Sequence, residues 1–258
     1  METILDRILR EKKKEIIRHR TSKPEIPLLK GQKRSFIQKL QKADEIAIIA
    51  EYKRASPSKG IINNGVEPGV QAKIYAKNGA SAISVLTDEV FFKGSFSDLR
   101  QVRDAVELPI LCKDFIIDPI QIDLAETHGA DVILLIAAAL DQSKLLELYQ
   151  YAKSLDLEVL IEVHNREELA KALLTDAKLI GVNNRDLKSF HVSLDVTEQL
   201  ATTVKNSGAF LISESGIQGK EDVERVKSVG ANGILVGEAL MKSKNLNQLL
   251  FDLRSPLR

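Results

Sequence analysis

The sequence predicts an α/β protein, a (β/α)8 TIM barrel with an N-terminal helical extension, and three observations predict it. From Glu45 onward, eight short β-rich runs alternate with eight helical ones. Each strand-plus-helix unit takes about 20 to 35 residues, the spacing of parallel strands joined by crossover helices. The chain's 258 residues are close to the length one such barrel occupies. An open doubly wound sheet is the alternative, but no GxGxxG follows the first strand and no break in composition marks the middle of the chain. Residues 1–258 are therefore expected as a single barrel domain, with 1–44 as a helical extension packed on it.

The first 20 residues read as a helix, because Ile4, Leu5, Ile8, Leu9, Ile16 and Ile17 fall on one apolar stripe with charges elsewhere. The segment carries seven basic against four acidic residues, which fits the solvated face of a packed helix better than a nucleic-acid or membrane contact. Pro24 and Pro27 break the pattern, and a short helical stretch follows at 35–42. The strand runs are 46–53, 82–87, 109–113, 132–137, 158–163, 178–183, 209–213 and 233–237. Helical patterns lie between and after them at 70–78, 97–106, 119–128, 142–155, 166–174, 194–205, 220–229 and 238–250.

Composition narrows the function. A hydrophobic fraction of 44% is enough to bury a sizeable core, which excludes a disordered chain. With 37 basic and 36 acidic side chains there is no global field to gather nucleic acid or an anionic membrane, so any anion must be held locally. The longest apolar run, 132–140, is nine residues, short of the roughly 20 a membrane helix needs. The N-terminus is charged from Asp6 and has no apolar signal core. A lone cysteine, Cys112, has no intrachain disulfide partner and no zinc spacing, which points to a reducing, cytoplasmic setting.

In a closed barrel alternate strand residues face the interior, and chemistry sits at the strand C-terminal ends. In the first strand Ala47, Ile49, Glu51 and Lys53 share a face, so Glu51 and Lys53 emerge at the mouth. Later strands deliver Lys113, Glu162, Asn183 and Glu214 in the same way, each after an apolar run. One such residue is commonplace at a strand end; five strands ending this way converge on one opening. Opposite charges there keep each other ionised, and a lysine facing a second lysine has its pKa pushed down toward the range of a general acid. Small residues form a second group. Ser56, Pro57 and Ser58 follow the first strand, Ser215 and Gly216 the seventh, and Gly237 the eighth. Loops after strands seven and eight are where barrels hold phosphate on backbone N–H groups, with Lys53, Ser56 and Arg185 as added contacts. His19, His128, His164 and His191 show no metal spacing and read as structural or surface residues. Cys112 is out of phase with Lys113 and points toward the helices. The aromatic and glycine loop Phe91, Phe92, Lys93, Gly94 lies where it can cover a planar ligand.

With those residues in view, the chain resembles the indole-3-glycerol phosphate synthase family. IIAEYKRASPSKGII at 48–62 carries the most specific likeness. LTDEVFFKGS at 86–95, LCKDFIIDPIQI at 111–122, LIEVHNREEL at 160–169, IGVNNRDLKSF at 180–190, LISESGI at 211–217 and GILVGEALM at 233–241 support it. The resemblance implies condensation, decarboxylation and dehydration of 1-(2-carboxyphenylamino)-1-deoxyribulose 5-phosphate, with no metal and no organic cofactor. It implies Lys113 as the acid at the ribulose carbonyl, Lys53 on the substrate carboxylate and Glu162 as the base in dehydration. Glu51 and Asn183 would orient the lysines and the departing hydroxyl. Ser56, Gly216 and Gly237 would serve the phosphate, Ser215 and Glu214 would line the mouth, and Phe92 and Phe115 would flank the anthranilate ring. Some relatives place a serine after Gly237; this chain has Glu238, which is expected to point outward and leave the anion to backbone amides.

The expected partner is thus a small phosphorylated molecule, with neither nucleic acid nor membrane, and the chain is expected as a monomer with a dimer as the alternative. Three rivals remain at this level. A class I aldolase would form a Schiff base on Lys113 or Lys53. A phosphoribosylanthranilate isomerase would need a cysteine at the mouth, where Cys112 does not point. A non-catalytic module would dock through the basic first helix.

Overall fold

The computed structural model describes residues 2–21 and 33–257. Among them, eight strands close a parallel barrel: β1 (Ala47–Tyr52), β2 (Ala82–Leu86), β3 (Ile110–Lys113), β4 (Val132–Ile136), β5 (Glu158–Val163), β6 (Leu179–Asn183), β7 (Phe210–Glu214) and β8 (Gly233–Val236). Each pairs with its sequence neighbours, and β1 shuts the ring by pairing both β2, with Ile49 opposite Ala82, and β8, with Ala47 opposite Gly233. The expected (β/α)8 TIM barrel is present. A two-residue antiparallel pair, Ala55–Ser56 with Gly60–Ile61, stiffens the loop after β1.

Alternation along each strand sorts the core into two shells. Ala47, Ile49, Leu111, Leu134, Leu160, Leu179, Ile212 and Leu235 fill the barrel interior. Their out-of-phase neighbours, among them Ile48, Ile83, Cys112, Ile133, Ile161 and Val182, pack under the outer helices. Cys112 therefore points where the strand phase put it, and burial pushes its thiol up to about 12. Phe36 and Leu40 of α2 (Phe36–Gln41) plug the interior at the strand N-terminal end. That helix is anchored by Glu158, at the start of β5, which accepts the N–H groups of Phe36 at 2.9 Å and Ile37 at 3.1 Å. With one end closed by apolar packing, polar side chains collect at the other.

The outer layer is α3 (Pro68–Lys77), α4 (Phe96–Ala105), α5 (Pro119–Thr127), α6 (Gln142–Ser154), α7 (Arg166–Leu173), α8 (Asp195–Asn206) and α9 (Lys220–Ser228). The expected helix at 238–250 is instead two, α10 (Glu238–Lys242) and α11 (Leu246–Asp252). The chain is extended at Ser243, with φ −66° and ψ 130°, and Asn245 caps α11 by accepting the Gln248 N–H at 3.2 Å. A local side-chain cap overrode the apolar periodicity there.

The N-terminal helix α1 (Ile4–Thr21) exists, but its buried stripe differs from the expected one. Ile17 is 64% exposed, whereas Lys12 is 0% exposed and Glu15 is buried. The helix lies over the loops that follow β2 and β3, where Lys12 meets Asp88 and Asp114, and Arg20 pairs with Asp118 at 2.7 Å. Pro24 and Pro27 lie outside the described residues. Among the described residues no helix is long and apolar enough to cross a membrane.

Candidate active site

The strand phase brings the predicted polar residues to one opening. Glu51 follows Ile49, Lys113 follows Leu111, Glu162 follows Leu160, and Glu214 follows Ile212, so each carries the interior face one step beyond its apolar layer. A cavity above them is lined by Glu51, Lys53, Lys113, Glu162 and Asn183, together with Ser56, Phe92, Phe115, Arg185 and Ser215. Ile4, Leu5 and Ile8 of α1 roof the same cavity. It runs into a second space lined by Lys53, Lys59, Arg185, Ser215, Gly216 and Gly237.

Glu51 is the hub. Its Oε1 lies 2.6 Å from Lys53 Nζ and its Oε2 3.2 Å from Lys113 Nζ. Burial alone would raise its carboxyl, but the two ammonium groups outweigh burial and hold it at about 2. Lys113 Nζ also stands 3.3 Å from Glu214 Oε2. Burial works against its charge, yet Glu51, Glu214 and Glu162 raise its pKa above the ordinary lysine value. This corrects the expected lowering: the two lysines do not face each other, because the Glu51 carboxylate separates them.

Glu162 is held from two sides. Asn183 Nδ2 donates to Glu162 Oε1 at 3.0 Å, and His164 Nε2 lies 3.3 Å from the same oxygen. On its other edge His164 Nδ1 meets Glu168 Oε2 of α7 at 2.9 Å. Burial disfavours the imidazolium, but its two carboxylate neighbours raise its pKa, and burial of Glu162 is likewise outweighed by His164, Lys113 and Asn183, which lower its carboxyl. Sequence reading assigned His164 to a structural or surface role and missed this contact. The signal was its phase, since residues two apart on a strand share a face.

Two glycines shape the ring. A Cβ on Gly181 would overlap Glu214 Oε1, and one on Gly237 would overlap Glu51 Oε1. The Cβ side of Gly237 is thus taken by the Glu51 carboxylate, which leaves the backbone amide of Gly237, rather than the space beside it, for the expected phosphate contact. Glu214 was expected to line the mouth; it lies beneath the lining, 1% exposed, against Lys113 and in the space above Gly181. Burial dominates its environment, with Glu162 and Glu51 adding repulsion, so its pKa is raised despite Lys113. Gly181→Ala should displace Glu214 and lower kcat about tenfold or more, the scale of one charge-assisted hydrogen bond, in a protein that still folds. Steady-state kinetics beside a melting curve check this, and unaltered kcat would show that Glu214 does not need that seat.

After β7 the chain turns through two left-handed residues in succession, Ser215 at φ 63° and Gly216 at φ 89°. Glu238, expected to point outward, instead lines both spaces at their rim and pairs with Lys242 at 2.7 Å.

Fold and site together define a (β/α)8-barrel enzyme with acid–base groups at the strand C-terminal ends and an apolar roof beside them. A family profile described as indole-3-glycerol phosphate synthase matches residues 5–253. The indole-3-glycerol phosphate synthase of Oceanobacillus iheyensis is 49% identical over 255 residues, covering 99% of this chain and 98% of the relative. That of Exiguobacterium sibiricum is 50% identical over 242 residues, covering 94% and 93%. Among solved structures, a 3-hexulose-6-phosphate synthase superposes with a TM-score of 0.61 at 15% identity, over 81% of this chain and 98% of the other, a likeness of fold alone. The chain belongs to the indole-3-glycerol phosphate synthase family. Its activity is that of a carboxy-lyase in tryptophan biosynthesis, converting the anilino-deoxyribulose phosphate to indole-3-glycerol phosphate.

Proposed function

We propose that Lys113, Glu162 and Lys53 divide the steps of this reaction among themselves, and the observation that carries the proposal is their shared cavity, with Glu51 touching both lysines. In the first step the aromatic carbon that bears the carboxylate attacks the ribulose carbonyl. A C–C bond forms, the carbonyl π-electrons move to oxygen, and that oxygen takes a proton from the Lys113 ammonium. A lysine held charged at neutral pH arrives with its proton and stabilises the developing alkoxide by hydrogen bonding as well as by transfer. The same raised pKa speaks against a Schiff base on Lys113, which needs a neutral amine.

Loss of CO2 leaves its bonding electrons in the ring and restores aromaticity, so no electron sink is required. Lys53 holds the departing carboxylate until then. Water is lost last, with Glu162 accepting a proton and an ammonium protonating the hydroxyl as it leaves; Asn183 keeps Glu162 aimed. Phe92 and Phe115, with ring centroids 5.9 Å apart, flank the anthranilate ring under the α1 roof. Ser56, Ser215, Gly216, Gly237 and Arg185 take the phosphate, supported by the Ser215–Gly216 turn and by Lys53 and Lys59 nearby. Glu214 acts from below by holding Lys113.

Residues 1–258 act as one catalytic domain, as a monomer in the cytoplasm, and the lone cysteine supports the reducing compartment. Purified protein incubated with the anilino-deoxyribulose phosphate should develop indole emission in proportion to enzyme. The chain has no tryptophan to mask it. Absence of emission at saturating substrate would overturn the reading.

A further inference from the structure

Lys12 occupies the middle of the α1 stripe, one turn from Ile8 and one turn from Ile16, and is 0% exposed. Its ammonium touches three carboxylates: Asp114 Oδ1 at 2.7 Å, Glu15 Oε2 at 2.9 Å and Asp88 Oδ2 at 3.1 Å. His19 reaches Glu15 from one turn further along at 3.3 Å. Asp88 and Asp114 are themselves structural pins. Asp88 Oδ1 accepts the N–H groups of Phe91 at 2.6 Å and Phe92 at 3.1 Å. Asp114 directly follows Lys113, accepts the Thr87 hydroxyl at 2.6 Å and accepts the Phe115 N–H at 2.7 Å. Burying a charged cluster is a poor route to stability, because desolvation offsets the attraction and apolar residues in place of the whole cluster often do as well, although removing one partner alone strands the rest. What a buried multidentate cation adds is a fixed position for the groups around it.

We propose that Lys12 is a positioning residue for the aromatic end of the site, locking α1 onto the two loops that present Phe92 and Phe115 and so fixing Ile4, Leu5 and Ile8 over the cavity. The inference rests on the reading that this end binds the anthranilate ring. Lys12 acts through Asp88 and Asp114 and lies outside the cavity lining. Without Lys12, Asp88, Asp114 and Glu15 face one another, with the His19 imidazole beside Glu15. Carboxylates held together without their shared cation repel one another, and taking up a proton relieves that repulsion. Docked α1 then binds more protons than released α1, so docking is favoured in acid and lost as pH rises.

The test compares Lys12→Met with the wild-type full chain by hydrogen exchange of the α1 amides and by steady-state kinetics, from about pH 5.5 to 8. At the alkaline end the variant should lose α1 protection and show KM raised about tenfold or more, the scale of one lost charge-assisted contact. Its kcat should stay within about threefold, the pattern of lost binding with the chemistry intact. Both deficits should shrink toward acid. Neutralising the cluster, in Lys12→Met with Asp88→Asn and Asp114→Asn, should restore α1 protection and flatten the pH trend. Full protection with unaltered KM in Lys12→Met overturns the proposal, as does a released helix with unaltered KM. A triple variant as impaired as the single one overturns it too, since charge balance would then not be what holds the helix. Wild-type turnover in the same assay tests the synthase reading separately.

Discussion

Lys113→Ala should lower kcat by about 10³-fold, within the range measured for a positioned acid or an oxyanion donor, while affinity for the phosphate ester changes little. The asymmetry follows from placement. The Lys113 ammonium sits between Glu51 and Glu214 at 3.2 and 3.3 Å, whereas the Ser215–Gly216 turn and Lys59 border the adjoining space. Removing the amine deletes the proton for the carbonyl without touching the groups assigned to the phosphate. It also leaves Glu214 buried without its cation, so some loss of stability is expected and must be separated from lost chemistry. Lys113→Arg makes the separation. A guanidinium restores the charge and much of the melting temperature, but it releases a proton far less readily and should leave kcat low. Steady-state kinetics, binding of an unreactive phosphate ester and melting curves on both variants decide the matter; a fully active Lys113→Ala would refute the acid assignment.

Glu162→Gln is expected to divide the reaction. Ring closure and CO2 release should proceed, while dehydration should slow by about 10²-fold or more, the typical worth of a general base. Single-turnover mixing should therefore show a burst of CO2 followed by an accumulating decarboxylated intermediate. Glutamine keeps the length and the Asn183 contact but cannot take up the proton. In the wild type, burial tends to raise the Glu162 carboxyl, while His164, Lys113 and Asn183 more than offset this and lower it. The limb of the kcat profile set by this base should accordingly fall below the ordinary glutamate value of about 4.3, with activity lost as pH drops through it. A normal rate without an intermediate would remove Glu162 from the mechanism.

The barrel and the ring of polar residues were legible because one rule, alternation along a strand, governs both. Once Ala47 and Ile49 are placed inside, Glu51 has no other direction to point, and the same holds for Lys113 after Leu111 and Glu162 after Leu160. What alternation cannot convey is depth and partner choice. Glu214 obeys the phase and yet lies beneath the cavity, because Gly181 on the adjacent strand leaves a space for its carboxylate. The direction of the Lys113 shift was misjudged for the same reason: Glu51 comes between the lysines only when strands from different parts of the barrel are brought together. Lys12 and Glu15 interrupt an apolar stripe at core positions, a pattern that reads as solvated charge unless Asp88 and Asp114 are already known to wait opposite. The break between α10 and α11 hinges on a cap at Asn245 that a longer apolar period conceals.

Cys112, the sole thiol, is sealed between sheet and helices beside the Thr87 hydroxyl at 3.5 Å, and burial keeps it protonated well past neutral pH. Alkylating reagents and air oxidation therefore have no thiolate to attack in the folded molecule. A cysteine placed anywhere on the exterior would be the single reactive handle, so the native chain already serves as a background for attaching a spin label or dye without first removing a residue.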